Sequence, residues 1–412
     1  MHRLAHAVIL LLAVSLVPSC STPAKNTAAA NPLILISLDG FRWDYLQKYD
    51  APVLRQLADG GVRAKRMNPS FPSKTFPNHY TLVTGLRPEH HGIVSNWFFD
   101  PAFGETFSMS KTESNTESRW WGGEPVWITA ERQGVRSACF FWPGSEMENH
   151  GKRPSFYKAF DGKLSSSARV DGLLKWLDLP LAEQPRLCTL YFDIVDHAGH
   201  KFGPDAPETA QAVKQVDEAI GRLLAGLASR GLRERTNFVI VADHGMARCG
   251  PDKVIFLEDL MDVATVQVES TGPNGGVRPK NGPAADLVAS IRAKNVAHLQ
   301  VYLREEVPAH LHYRDNPRIP PVVLIADDHW NIESKLGWPN RAPTYSIGSH
   351  GWDPETSDMG ALFIASGPGF RRGLVLEPFD NIHVYNLLCA ALGVQPAPND
   401  GDQRLVRAAL AR

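Results

Sequence analysis

From residue 32 onward, short apolar runs alternate with amphipathic stretches. Residues 33–38 read as a strand that stops at Asp39-Gly40, and 53–58 as a helix closed by Gly60-Gly61. A further helix starts at 77–83, and residues 137–142 and 187–192 are strand-like. Within 207–227, Val213, Val216, Ile220, Leu223 and Leu227 recur at helical spacing. Residues 238–242 form a fourth apolar run, ending at Asp243-His244-Gly245, and 361–365 a fifth. Nearly continuous apolar strands separated by helices predict an α/β fold with a parallel sheet covered on both faces.

Residues 251–345 read differently. This stretch is rich in Gly and Pro, with strand-like pieces at 266–268, 300–303 and 322–325 and a helix-like piece at 283–293. It predicts a small α/β insertion packed beside the main body, which then comprises 32–250 and 346–400. The first twenty residues stand apart. His2 and Arg3 precede an apolar run over 7–17, too short to span a bilayer but suited to a signal peptide. Val17-Pro18-Ser19-Cys20 resembles a bacterial lipobox, although Pro18 departs from it and leaves ordinary cleavage open. Residues 21–31 read as a tether. The expected location is therefore periplasmic or outer-membrane-anchored, with membrane contact only through an N-terminal lipid.

Composition narrows the class. The chain is 43% hydrophobic and 21% charged, which is globular. Lys plus Arg number 43 and Asp plus Glu 44, so no basic excess exists to hold a nucleic-acid polymer. Five cysteines in 412 residues exclude a disulfide-stapled scaffold.

Three apolar runs end in acids: Asp39, Asp243, and Asp193 with Asp196. In an open parallel sheet, ligands bind beyond the carboxyl ends of the strands, so these carboxylates converge on one edge. Unpaired, they would repel one another and raise each other's pKa; a bound cation removes that conflict. His197, His200, His244 and His350 accompany them. Mixed Asp/His ligation without thiolates suits zinc or another first-row divalent ion. A nucleophile is sought in Ser73-Lys74-Thr75-Phe76-Pro77, just ahead of a helix whose positive N-terminus favours an alkoxide and a phosphate. Thr75 is the candidate; the alternative is that Thr75 or Ser73 is only a helix cap.

The motifs then become recognisable as a set. Leu38-Asp39-Gly40-Phe41-Arg42, Lys74-Thr75-Phe76-Pro77-Asn78-His79, Thr84-Gly85-Leu86-Arg87-Pro88 and Phe141-Trp142-Pro143-Gly144-Ser145 come first. They are followed by 191–200, Ala242-Asp243-His244-Gly245-Met246 and Gly348-Ser349-His350-Gly351. In this order, across about 32–395, they resemble the nucleotide pyrophosphatase/phosphodiesterase family of the alkaline phosphatase superfamily. The resemblance implies an alkaline phosphatase-like fold: a mostly parallel central sheet with helices on both faces. It implies two zinc ions per chain, one on Asp196, His200 and His350, the other on Asp39, Asp243, His244 and the Thr75 oxygen. Asn96 would donate to a phosphate oxygen beside the Thr75 amide, and Lys74 would also touch substrate. Tyr191 and Phe160 would hold a nucleobase, with Phe76 adding a stacking face. Tyr191, just inside a strand end, is expected to turn its ring to the substrate rather than to the metals. Asp193 has no assigned role and is expected to support the site or the fold.

The activity implied is hydrolysis of nucleotide phosphodiester and pyrophosphate bonds, releasing nucleoside 5'-monophosphates through a covalent threonine intermediate. The partners are small nucleotides. Two alternatives stand beside it: a family branch acting on lysophospholipid or choline phosphodiesters, and a non-catalytic metal- or nucleotide-binding lipoprotein. A sulfatase shares the fold but needs C/S-x-P-x-R, which is missing here.

Overall fold

The computed structural model describes residues 31–411. The expected leader (1–20) and nearly all of the expected tether lie outside the described residues. The elements that position the site begin with β1 (Leu33–Leu38), α1 (Pro52–Gly60), β2 (Val62–Ala64), α2 (Thr75–Thr84), β3 (Ser137–Phe140) and β4 (Phe156–Lys158). Next come α3 (Ser166–Leu177), β5 (Leu187–Phe192), α4 (Ile194–Phe202), α5 (Pro207–Ala228) and β6 (Asn237–Val241). The insertion contributes β7 (Val266–Ser270), β8 (Asn274–Pro279), α6 (Ala284–Arg292), β9 (Leu299–Leu303) and β10 (Val322–Ala326). The chain returns through β11 (Phe363–Ser366), β12 (Leu374–Leu376) and α7 (Val384–Leu392).

The main sheet has eight strands in the order β12-β2-β11-β6-β1-β5-β3-β4. β1 is central, parallel to both neighbours β5 and β6, and all six of its residues are buried. That double burial is why its sequence is an unbroken apolar run rather than an alternating one. α1, α3 and α4 pack on α5, while α7 packs on α2 and reaches β1. The mostly parallel α/β sheet expected from the sequence is thus present, with one reversal: β11 runs antiparallel to both β6 and β2. The cause is where the chain enters it. Leu362 N–H donates to Phe41 O, and Ala242 N–H donates to Leu362 O, so β11 starts at the edge where β1 and β6 end.

The insertion forms its own antiparallel sheet in the order β7-β8-β10-β9. Val277, Val288, Ile291, Val322 and Leu324 fill a separate small core with α6. β7, β9, β10 and α6 lie where the apolar pattern puts them. β8 does not appear in that pattern, because Asn274-Gly275-Gly276 reads as a turn; its backbone pairs with β7 on one side and β10 on the other. The segment leaves and re-enters the main body at a two-residue antiparallel ladder, Ala247 with Ser349 and Arg248 with Gly348.

Candidate active site

The register of the sheet assembles the site. Leu38 lies opposite Phe192 and Ser37 opposite Val241, so Asp39, Asp193 and Asp243 leave adjacent strands at one edge. Gly40 makes the turn after β1 with φ +67°, and its N–H donates to Asp243 Oδ1 at 3.2 Å. A Cβ there would sit 2.9 Å from Asp196 Cα, so only glycine lets these two segments close up. Asp196 and His200 fall on α4, one turn apart and on the same face. His200 Nδ1 donates to Gly348 O at 2.8 Å, where a Cβ on Gly348 would run into the Gly199 carbonyl.

Three histidines have their tautomer fixed by backbone. Nδ1 of His200, His244 and His350 each faces a carbonyl oxygen, of Gly348, Gly245 and Ser73, at 2.8–2.9 Å. A carbonyl only accepts, so Nδ1 carries the hydrogen and Nε2 is left with a lone pair free to bind a metal. His200 Nε2 and His350 Nε2 then face each other at 3.1 Å, with Asp196 Oδ1 at 3.4 and 3.6 Å. His244 Nε2 lies 3.0 Å from Asp243 Oδ2 and 3.5 Å from Asp39 Oδ1. Those same oxygens, Asp39 Oδ1, Asp196 Oδ1 and Asp243 Oδ2, are buried without a hydrogen-bond partner.

The titration of the cluster reflects this crowding. Burial, then the Asp243 and Asp196 carboxylates, push Asp39 well above the usual carboxylate range. Burial also works to raise Asp243, but His244 and His79 outweigh it and hold that carboxyl well below its ordinary value. Burial and then the neighbouring His244 and His200 press His350 far down. Cations shared among these atoms would answer these demands, and the donor set of carboxylate and imidazole fits zinc or another first-row divalent ion.

Thr75 is the first residue of α2, and Lys74 before it is extended. Thr75 Oγ1 lies 3.4 Å from His244 Nε2. Phe76 N–H donates to Asn96 Oδ1 at 2.8 Å, so the Asn96 NH2 group is the part turned away from this bond. The Lys74 Nζ is 3.5 Å from Ser95 Oγ, and burial lowers its ammonium to about 8. Lys74, Asn96, His200 and His350 line an open cleft of about 500 Å³, closed on the far side by the insertion.

The aromatic residues fall elsewhere. Tyr191 is buried, its ring edge-on to His79 at 5.2 Å and to Phe160 at 6.0 Å. Its hydroxyl donates to Asp39 Oδ2 at 2.6 Å. The expectation that it turns away from the metal cluster is therefore corrected: β5 ends level with β1, which brings the phenol onto the acid. Phe160 is 54% exposed. Phe76 packs on Phe107 and Trp121 at 6.1 and 6.0 Å. His197 does not join any of the metal-capable groups found among the described residues.

Two supporting residues escaped the reading of the sequence. His79 Nδ1 donates to Thr75 O at 2.9 Å and lies 3.2 Å from Asp243 Oδ2, while Ser37 Oγ meets its Nε2 at 2.8 Å. The signal was available: His79 is four residues after Thr75 on the predicted helix, hence on its face. Arg169 pairs with the otherwise unassigned Asp193 at 3.0 Å, both buried, and donates to Tyr191 O. No local pattern in α3 marks that arginine.

Residues 33–353 match the family model described as type I phosphodiesterase/nucleotide pyrophosphatase. An uncharacterized pyrophosphatase/phosphodiesterase of Schizosaccharomyces pombe is 41% identical over 90% of this chain and 78% of its own length. Ectonucleotide pyrophosphatase/phosphodiesterase family member 3 of Rattus norvegicus is 39% identical over 90% of this chain, which spans only 43% of that longer protein. Murine ectonucleotide pyrophosphatase/phosphodiesterase 5, solved as an inactive threonine-to-alanine variant with AMP, superposes with a TM-score of 0.87. It shares 32% identity and covers 92% of this chain and 100% of its own. A sheet edge that gathers these acids and histidines, and a family match that spans them all, make this chain a member of the nucleotide pyrophosphatase/phosphodiesterase family of hydrolases, in the alkaline phosphatase superfamily.

Proposed function

We propose that the protein hydrolyses nucleotide phosphodiester and pyrophosphate bonds with the help of two zinc ions and releases nucleoside 5'-monophosphates. The observation that carries this reading is a threonine hydroxyl at a helix start, 3.4 Å from His244 Nε2, in a cluster where Asp39, Asp196 and Asp243 each bury one oxygen without a hydrogen-bond partner. Asp196, His200 and His350 would hold one ion; Asp39, Asp243, His244 and Thr75 Oγ1 the other. When bound, the ions supply positive charge that lowers the hydroxyl pKa and offsets charge on phosphate oxygens.

The chain's own groups do the rest. Thr75 Oγ1 attacks phosphorus, its proton goes to solvent, and the bond to the leaving oxygen breaks. Water then cleaves the threonine–phosphorus bond and frees the monophosphate. The N-terminus of α2 favours the anion, and the Asn96 NH2 group is free to donate to a phosphate oxygen. Phe160 and Phe76 would offer faces to a base. In support, a murine relative is inactive as a threonine-to-alanine variant and is seen with AMP. The leader pattern in 1–20 supports export, to the periplasm or to a lipid anchor at the outer membrane.

The test is turnover by zinc-loaded protein of four substrates: a nucleotide diester, a dinucleoside polyphosphate, a choline phosphodiester and a phosphate monoester. The first two should be hydrolysed to a nucleoside monophosphate. Preference for the choline ester would move the protein to the lipid-directed branch, and no turnover of any of the four would make it a binding protein.

A further inference from the structure

One imidazole touches all three segments that bring Asp39, Thr75 and Asp243 to the site. His79 sits on α2 one turn beyond Thr75, so its ring lies on the threonine's face of the helix. Its Nδ1 donates to Thr75 O at 2.9 Å, and Asp243 Oδ2 lies 3.2 Å from the same nitrogen. Its Nε2 is left to accept the hydroxyl of Ser37, 2.8 Å away on β1 and two residues before Asp39.

The ring has little freedom. It is fully buried and packs edge-on against Trp142 and Tyr191, with centroids 5.1 and 5.2 Å away. Both nitrogens are engaged inside the protein, so His79 does not touch a substrate. What it does touch is the weak point of the helix. Thr75 is the leading residue of α2, just after the extended Lys74, and a helix end frays unless something outside its own ladder ties it down. The Thr75 hydroxyl lies 3.4 Å from His244 Nε2, and Asp243 Oδ2 lies 3.0 Å from that same atom. The backbone of Thr75 and the Asp243 carboxylate are thus both referred to one immobile ring.

We propose that His79 is the positioning residue of the nucleophile: it fixes the Thr75 backbone against Asp243 and β1, and so holds the hydroxyl in its place beside His244. The inference rests on the hydrolase reading above and deepens it. Because the ring acts on the attacking group and not on the substrate, its loss falls on the rate of attack, whatever the substituents on phosphorus.

The experiment compares His79→Leu with His79→Asn in the zinc-loaded full chain, on a nucleotide diester and a base-free aryl diester. Leucine fills the buried site and deletes both bonds. The asparagine amide can donate to the carbonyl four residues back, as Asn78 does to Lys74 O at 2.9 Å. His79→Leu should lower kcat about 100-fold on both substrates, the scale of a misplaced reacting group, with KM within about threefold. In a crystal structure of that variant the Thr75 Oγ1–His244 Nε2 separation should differ from 3.4 Å by about 0.5 Å or more. His79→Asn should bring kcat back to within about 10-fold of wild type, although it fills the site less well. A packing role predicts the reverse order, since leucine suits a buried apolar surrounding better. If His79→Leu does not fold, Ser37→Ala removes only the hydroxyl that steadies the ring, and kcat should fall about 3- to 10-fold at unchanged KM. A kcat within about twofold of wild type in a folded His79→Leu or Ser37→Ala variant, or leucine outperforming asparagine, overturns the positioning role and leaves the hydrolase reading intact. A wild type that turns over neither diester ends both.

Discussion

The two halves of the site use the same ligand chemistry but are braced differently. Asp39, Asp243 and His244 are 0–2% exposed; side chains brace the two carboxylates, the Tyr191 hydroxyl on Asp39 and His79 beside Asp243, while His244 rests on the Gly245 carbonyl. Asp196 and His200 are 13% and 31% exposed and His350 7%; the histidines of this half likewise rest on backbone carbonyls, of Gly348 and Ser73, but among the described residues no side chain other than these histidines lies within an ion-pair distance of Asp196. Thr75, the proposed nucleophile, therefore adjoins the more buried half. The other half is wetter at Asp196 and His200 and easier to reach. Supporting contacts behind a ligand typically change metal affinity or activity by about 10- to 100-fold, so the two halves should respond to different insults.

Metal removal should have the largest effect. Elemental analysis should find close to two zinc ions per chain, and chelation should abolish activity, with zinc restoring it. Metal content followed over time in chelator should fall in two phases, the His200/His350 half first; a single phase would erase the distinction between the halves. Thr75→Ala comes next. Turnover should fall by at least about 1,000-fold while the fold and the Asp196/His200/His350 zinc are retained, and Thr75→Ser should keep part of the activity. Residual turnover within about threefold of wild type would remove the covalent step.

Tyr191→Phe sharpens the comparison further, because it keeps the ring and deletes only the bond to Asp39. Zinc affinity of the buried half should weaken by about 10-fold or more, and losses in kcat/KM should be equal for base-bearing and base-free diesters. A loss confined to base-bearing substrates would return Tyr191 to a stacking role. The smallest effect is expected at exposed Phe160. Phe160→Ala should cost about 5- to 10-fold on nucleotides, the low end of base–aromatic stacking, and nothing in zinc content.

Much of this was legible in the residues because parallel strands announce themselves twice: as unbroken apolar runs, and through the polar residues where they stop. Asp39 and Asp243 are placed on one edge by the pattern alone; for Asp196 and His200 the spacing fits a helical face and a turn at Gly199 equally, and α4 decides for the helix. What stayed hidden depended on register or on backbone. The bond from Tyr191 to Asp39 exists because β5 and β1 end level, which no single segment encodes. β8 holds its place through main-chain pairing, which Asn274-Gly275-Gly276 conceals. The reversal of β11 follows from the route of the preceding segment past the sheet edge, and the Arg169–Asp193 pair from the packing of α3 on the sheet.

The ladder of Ala247–Arg248 with Gly348–Ser349 has a consequence for how such a protein can change. It pins the chain at the departure and return of the 251–345 segment, next to His244 and His350. Between those four residues the chain closes a loop that carries a small core of its own but also sends Leu311, Tyr313 and Ile319 into the main core. Its outer part, α6 and the strands around that small core, can vary in length at little closure cost, whereas the stretch around Tyr313 and Arg318 is fixed to the main body through Val94 and Asp100. Variation is thereby channelled to the outer layer of the segment, while the layer that grips the main body stays constant.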